Sequence, residues 1–127
     1  MTRVLVIGYA PDAVDYTDPL VPKGVDEKKV AEGIEADMRK MRTRGWDAEH
    51  LNITAEEDVH KRVLAQLTGG QYDCVVIGGG VRVTSKRVEV LEVVVNAIRE
   101  GAPATPIAFN EGPDTSAEAA VRVMKPA

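Results

Sequence analysis

Two short, continuous apolar runs constrain the fold of this chain more than any other feature. RVLVIG (residues 3–8) and YDCVVIG (residues 72–78) are rich in β-branched residues and do not alternate between apolar and polar positions. Such runs are typical of strands that are covered on both faces, as in parallel sheets that carry helices on each side. The sequence therefore predicts an α/β protein in which these runs are the central strands.

Patterns typical of helices and strands alternate along the rest of the chain. The other predicted elements are a helix over residues 26–44, a strand over 47–53, a helix after 54, a helix over 86–100, a strand over 106–110 and a helix after 115. Two helices are predicted to begin at capping boxes, TAEE (residues 54–57) and TSAE (residues 115–118). In such a box the threonine and the glutamate satisfy each other's free backbone amides.

Four strands separated by helices imply a parallel sheet built of right-handed crossovers. A chain of 127 residues is long enough for one domain and too short for two. We therefore expect a single domain, residues 1–127, with a three-layer α/β sandwich and a four-stranded parallel sheet in the order 2-1-3-4. This is a flavodoxin-like arrangement without a fifth strand. The fourth strand would be an edge, which agrees with Pro103 and Pro106 because proline is excluded from central strands.

Composition and length argue against several classes of partner. A formal net charge of -4 and a single tryptophan and phenylalanine do not suit a nucleic-acid-binding surface. No apolar run approaches the roughly 20 residues that a membrane span needs. The first strand begins at Arg3, which leaves no room before it for a signal peptide, so we expect a cytoplasmic protein. The lone Cys74 lies in an apolar strand and is predicted to be buried and unreactive.

The predicted third helix, residues 86–100, is apolar almost all round. A helix of this kind is either deeply covered or lies in an interface. Together with the exposed edge of the fourth strand, it favours a homodimer formed through these two elements.

In open parallel sheets, ligands bind beyond the carboxyl ends of the strands, where the strand order reverses. In this chain that rim comprises residues 8–12, 78–82 and 110–115. The candidate ligand-binding residues on and beside it are Gly78, Gly79, Gly80, Arg82, Ser85, Asn110, Asp114 and Thr115.

The run Gly78–Arg82 has two interpretations. Glycines after a strand let backbone amides approach an anion, and the planar guanidinium of Arg82 suits a phosphate or a carboxylate. Alternatively, the glycines form only a tight turn and Arg82 pairs with Asp12 or Glu111. Asp114 and Thr115 could likewise be capping residues alone, and Asn110 could tie its loop to a neighbour.

Well-known chemistries of this fold demand residues that the chain does not have. Receiver domains need acidic residues after the first strand and an aspartate ending the third, whereas this chain has Gly8-Tyr9 and glycines there. Flavodoxins need a hydroxyl-rich loop where this chain has residues 9–12. Dinucleotide-binding domains need three spaced glycines after the first strand, where only Gly8 is present. We therefore expect neither phosphoacceptor activity nor a flavin or dinucleotide cofactor.

GGGVR (residues 78–82), followed by PIAFN (residues 106–110) and PDT (residues 113–115), resembles a set of short bacterial flavodoxin-like proteins. The resemblance covers most of the chain. Its best-marked residues are Gly79, Arg82, Asn110, Pro113, Asp114 and Thr115. It supports the fold and the rim but implies no reaction, since no activity is established for that group.

The long segment after the first strand carries Asp12, Asp15 and Asp18. It lacks the glycine turn and the closing glutamate of a calcium loop, so a solvated acidic lid over a small-molecule site is predicted and a metal is not. His50 and His60 are predicted to lie away from the rim. No acid–base pair or nucleophile stands out, so the sequence leaves open whether any reaction is catalysed. Two hypotheses remain, a binding protein for a small phosphorylated or carboxylated ligand and a homodimeric interaction protein without a ligand site.

Overall fold

A parallel sheet in the order β2-β1-β3-β4 lies at the centre of the computed structural model, which describes residues 1–83 and 87–124. Its strands are β1 (Arg3–Tyr9), β2 (Asp47–Ile53), β3 (Cys74–Ile77) and β4 (Ile107–Phe109). The helices are α1 (Glu27–Thr43), α2 (Val59–Thr68), α3 (Gly79–Arg82), α4 (Val88–Gly101) and α5 (Ser116–Val123). The predicted α/β fold class and strand order are confirmed.

The register of the sheet explains why the two apolar runs are continuous. Val4 of β1 pairs with Ala48 of β2 on one side and with Cys74 of β3 on the other, and β3 pairs in turn with β4. All four residues of β3 are buried. Because β1 and β3 have a strand on each edge and helices on each face, no side chain of their central part can reach water.

Helices cover both faces of the sheet and enclose two separate cores. The core on the face of α2 and α4 includes Leu5, Ile7, Leu51, Ile53, Val63, Val75, Ile77 and Val94. The core on the face of α1 and α5 includes Val4, Val6, Met38, Met41, Cys74, Val76, Ala108 and Ala120. Neighbouring residues of one strand thus belong to different cores, as the alternation of strand side chains requires.

Helix α4, the predicted third helix, is apolar almost all round in sequence, but the structure shows it to be amphipathic, with its apolar residues other than Val88 buried or partly buried. Its buried positions are Val90, Val94, Ala97 and Ile98, at helical spacing against α2 and the sheet. Glu89, Glu92 and Asn96 are exposed on the opposite side. The valines between the two faces are partly buried because their methyl groups still reach the edge of the core.

The first predicted capping box does not begin a helix. The backbone N–H of Thr54 donates to Glu57 Oε2 at 2.7 Å, which closes a turn before the helix. Helix α2 begins five residues after Thr54, at Val59, where Asp58 Oδ1 accepts from the N–H of Lys61 at 3.1 Å. The nearer aspartate takes the capping role, so the predicted helix start is wrong.

None of the helices in the described residues combines the length and the apolar character that a membrane span requires.

Cys74 is fully buried in β3. Burial raises the pKa of its thiol to about 12, so it carries no reactive thiolate at neutral pH. The prediction that Cys74 is buried is confirmed.

Candidate functional site

A cavity of about 340 Å³ lies at the carboxyl ends of the strands, on the face of the sheet that carries α1. We call it the rim cavity. The sheet and the loops after β1, β3 and β4 form its floor and one wall, α1 forms another wall, and residues 14–25 form its roof. Its volume is within the range typical of small-molecule sites, about 300–1,000 Å³.

Glycines at the ends of the two central strands leave open space at the bottom of the cavity, because they carry no side chains. A Cβ atom on Gly8 would lie 3.4 Å from His50 Nε2. One on Gly78 would lie 3.3 Å from the carbonyl oxygen of Ile7 and 3.5 Å from Gly8 Cα. Side chains at these two positions would therefore press against their neighbours and occupy the bottom of the cavity.

Arg82 and Asn110 form the polar wall of the cavity. Arg82 Nη2 donates to the backbone oxygen of Asn110 at 3.0 Å. A Cβ atom built on Gly79 would lie 3.8 Å from Asn110 Oδ1 and 3.9 Å from Arg82 Nη2. The acceptor of the asparagine and the donor of the arginine therefore border the same point of space above Gly79.

Buried polar atoms without a hydrogen-bond partner in the described part of the chain concentrate around this cavity. They are Tyr9 Oη, His50 Nδ1, Arg82 Nε and Asn110 Oδ1, and the last three belong to side chains that line the cavity. The Tyr9 ring packs against the core under α2 and α4, so its hydroxyl is not counted as part of the cavity. Asn110 is only 3% exposed. Since an unpaired buried polar atom costs about 1–3 kcal/mol, such a concentration marks a place where a ligand can supply the missing partners.

A buried hydrogen-bond chain fixes the orientation of the Asn110 amide. Asp37 Oδ1 accepts from the Ser116 N–H at 2.9 Å, and Ser116 Oγ accepts from Asn110 Nδ2 at 3.0 Å. Burial raises the pKa of Asp37, while hydrogen bonds from the Ser116 side chain and backbone oppose this. Because the amide nitrogen of Asn110 donates to Ser116 Oγ, the amide oxygen Oδ1 is the atom that has no partner among the described residues.

The same aspartate caps helix α5, so the second capping box is also wrong. Thr115 makes no side-chain cap. Its hydroxyl accepts from the N–H groups of Glu111 and Gly112 at 3.0 and 3.1 Å, within the turn before the helix. Asp37 reaches the first turn of α5 from α1 instead, through Ser116.

His50 lines the cavity, so the prediction that it lies away from the rim is wrong. It pairs with Val6 in the sheet, three positions before the end of β1. Because Gly8 has no side chain, the imidazole reaches the carboxyl end of the sheet. Burial lowers the pKa of His50, and a side-chain interaction with Asn52 opposes this. His60 is outside the cavity, where its Nε2 lies 2.8 Å from Glu100 Oε2.

The roof of the cavity is apolar on its inner side, and the prediction of a solvated acidic lid is only partly right. Asp12 and Asp15 are exposed, but Asp18 is 7% exposed and its Oδ1 accepts from the N–H of Leu20 at 2.9 Å. The side chains that line the cavity from this segment are Val14, Leu20, Val21, Pro22 and Val25. The acidic residues shape turns in the roof, which leaves its apolar residues to face the cavity.

The remaining predicted residues are placed less centrally. Asp114 is exposed and, like Thr115, does not line the cavity. Ser85 lies outside the described residues. None of the ion pairs among residues 1–83 and 87–124 includes Arg82, so the alternative pairings with Asp12 and Glu111 are not formed.

The sequence-based prediction missed Asp37 and His50. The signal for Asp37 in the sequence was an acidic residue among the inward positions of an amphipathic helix. The signal for His50 was its position in the strand next to β1, which has a glycine near its end.

Comparison with known protein families and with curated proteins finds no match to this chain. Within the described residues, no group of three or more histidine, cysteine or acidic side chains is arranged to hold a metal ion. Any functional conclusion therefore depends on the geometry of the rim cavity.

Proposed function

We propose that this protein binds a small organic anion in the rim cavity. The observation that carries the proposal is the unpartnered buried donor Arg82 Nε, whose side chain lines the cavity. Arg82 contributes a positive charge that no carboxylate of the described residues neutralises within ion-pair distance. A partly buried guanidinium without an ion-pair partner lowers the free energy of unfolding. An anionic group bound beside it removes this cost.

Native mass spectrometry of the full chain as purified, followed by thermal-shift titration with hexanoate, hexyl phosphate and inorganic phosphate, tests the proposal. We expect at least one of these anions to raise the melting temperature as its concentration rises, because a ligand of the native state stabilises it by mass action. The Arg82→Gln variant should lose this response.

Arg122→Gln is a matched control for the Arg82 variant. Arg122 Nη2 donates to the backbone oxygen of Phe109 at 2.8 Å, as Arg82 does to that of Asn110, but Arg122 is exposed and does not line the cavity. The control removes the same kind of bond at the end of β4. An equal loss of response in both variants, or the absence of any anion-dependent shift in the native chain, would contradict the proposal.

A second candidate function is a homodimeric interaction protein. Among the described residues β4 pairs only with β3, and Phe109 on this strand is 40% exposed. An unpaired edge beside an exposed aromatic ring favours association with another chain. The contribution of α4 would be restricted to its exposed end at Val88, which is 58% exposed.

Sedimentation velocity distinguishes this second candidate from a monomeric binding protein. We expect Phe109→Lys to convert a dimer into a monomer with little change in far-ultraviolet circular dichroism, because the ring is outside the cores. A native chain that sediments as a monomer over the full concentration range would exclude the dimer. The resemblance to short bacterial flavodoxin-like proteins and the cytoplasmic location remain predictions.

A further inference from the structure

We infer that the ligand of the rim cavity is a 2-hydroxycarboxylate with an apolar body. This inference rests on the proposed function and narrows the anion to one chemical class. Three features of the cavity carry it, namely the unpaired acceptor of Asn110, the small number of cationic groups and the apolar roof.

The first feature is that Asn110 Oδ1 requires a hydrogen-bond donor. One N–H of the amide donates to Ser116 Oγ, and the amide oxygen has no partner among the described residues. An ionised carboxylate or phosphate has no hydrogen to donate to it. This oxygen and Arg82 Nη2 both lie within 4 Å of the same point above Gly79, so we infer that a ligand that contacts both atoms carries its donor next to its anionic group.

The second feature is the charge of the cavity. The basic side chains that line it among the described residues are Arg82, Lys29 and His50. Lys29 is exposed at the start of α1, and burial lowers the pKa of His50, which disfavours its charged form. One guanidinium matches a single carboxylate, whereas a doubly charged phosphate calls for further donors. An ammonium beside the carboxylate would be repelled by Arg82. Of the two carboxylates that line the cavity, Asp37 is engaged with Ser116, and Glu111 is exposed to water, which weakens its attraction for an ammonium. A neutral hydroxyl is therefore the donor that fits.

The third feature is the roof. Val14, Val21 and Val25 face the cavity, and Leu20 borders it while remaining 50% exposed. An aliphatic group below the roof would remove this apolar surface from water, which is favourable in proportion to the area covered. A small and wholly polar hydroxy acid would leave it uncovered.

Isothermal titration of the full chain with four matched compounds tests the inference. These are 2-hydroxy-4-methylpentanoate, 4-methylpentanoate without the hydroxyl, lactate without the aliphatic body, and leucine with an ammonium in place of the hydroxyl. We expect the first to bind at least about fivefold more tightly than each of the others, because only it satisfies the acceptor and covers the roof without adding a second cation.

Two variants assign this preference to the named residues. In Asn110→Leu the ratio of the affinities for the hydroxy acid and for 4-methylpentanoate should fall to about one. In Leu20→Ser the ratio of the affinities for 2-hydroxy-4-methylpentanoate and for lactate should fall. The roof variant alters a half-exposed side chain and should fold normally. If Asn110→Leu does not fold, the comparison of the four compounds in the native chain still decides the inference.

Other outcomes separate this inference from the proposed function. Equal affinity for the hydroxylated and unhydroxylated acids, or tighter binding of leucine, would overturn the hydroxycarboxylate while Arg82-dependent binding of an anion still stood. Binding of inorganic phosphate in preference to every carboxylate would do the same. The absence of binding by all of these compounds would overturn the proposed function as well.

Discussion

At the scale of single residues, Gly33 shows how close contacts reverse an ordinary preference. A glycine inside a helix normally makes the helix less stable than an alanine would, by about 0.5–1 kcal/mol. In α1, however, a Cβ atom at Gly33 would lie 2.8 Å from Pro113 Cγ and 2.9 Å from Pro113 Cβ. We therefore expect Gly33→Ala to lower the free energy of unfolding, by about 1–3 kcal/mol in urea denaturation.

Pro113→Gly is the background that checks the cause. The nearest other atom to the added methyl group is the backbone carbon of residue 113 at 3.7 Å, an ordinary contact. In this background Gly33→Ala should cost nothing or stabilise the helix. A cost that persists there would show that the proline is not its origin.

His50 makes stability depend on pH at the same scale. Burial lowers its pKa in the folded state below the ordinary value of 6.5, so the unfolded chain takes up a proton first as the pH falls. The contribution of the neutral His50 to the free energy of unfolding should be complete above pH 6.5. It should be lost as the pH falls from 6.5 through the pKa of His50 in the folded state. We expect His50→Gln to flatten this part of the curve.

Urea denaturation at a series of pH values, combined with NMR titration of the imidazole, measures this effect. His60→Gln is the control, because His60 lies on the surface beside Glu100. An unchanged pH dependence in the His50 variant would refute the assignment.

At the scale of elements, α1 and α5 are joined by one carboxylate. Asp37 is 1% exposed and supplies α5 with the capping acceptor that its own sequence does not provide. Asp37→Ala should lower the free energy of unfolding by about 1–3 kcal/mol, since it removes the cap and leaves the Ser116 N–H unpaired.

Asp37→Asn distinguishes the cap from the charge. The side-chain carbonyl oxygen of the asparagine can still accept from the Ser116 N–H. The neutral amide also avoids the cost of burying a negative charge, and it is this burial that raises the pKa of Asp37. We expect this variant to lose less stability than Asp37→Ala in the same urea experiment. Equal losses would mean that the negative charge, and not the hydrogen bond, holds the two helices together.

At the scale of the whole molecule, one sheet separates two cores, and the two should unfold together. Val75 and Val76 are adjacent in β3 and fully buried, but Val75 belongs to the core under α2 and α4 and Val76 to the core under α1 and α5. Each Val→Ala change should cost about 2 kcal/mol. In both variants, the fluorescence of Trp46 and the far-ultraviolet circular dichroism should change at the same urea concentration.

Trp46 packs against only one of the two cores, so it would report an independent loss of that core. Two transitions at different urea concentrations in the Val75→Ala variant would contradict a single cooperative unit.

Sequence patterns that depend on near neighbours predicted much of the fold. The apolar runs identified β1 and β3, the helical period identified α1, and Gly45, whose φ of 84° favours glycine, marks where that helix stops. Arg82 and Asn110 were also predicted as rim residues, because the carboxyl ends of parallel strands share one edge of the sheet. The start of α5 at Ser116 agrees with the prediction, whereas α2 starts later than predicted. Both predicted caps are wrong, because Asp58 caps α2 and Asp37 caps α5 in place of the two threonines.

The sequence by itself determined the α/β class, the strand order and the edge of the sheet on which a site could form, because strand burial, helical period and chain connectivity are local properties. Only the tertiary structure decided what that edge contains. Asp37 meets Ser116 across 79 positions of sequence, His50 enters the cavity over a glycine of another strand, and residues 14–25 turn their apolar side inward. These contacts depend on distances between elements that are remote in the chain, and no local pattern encodes such distances.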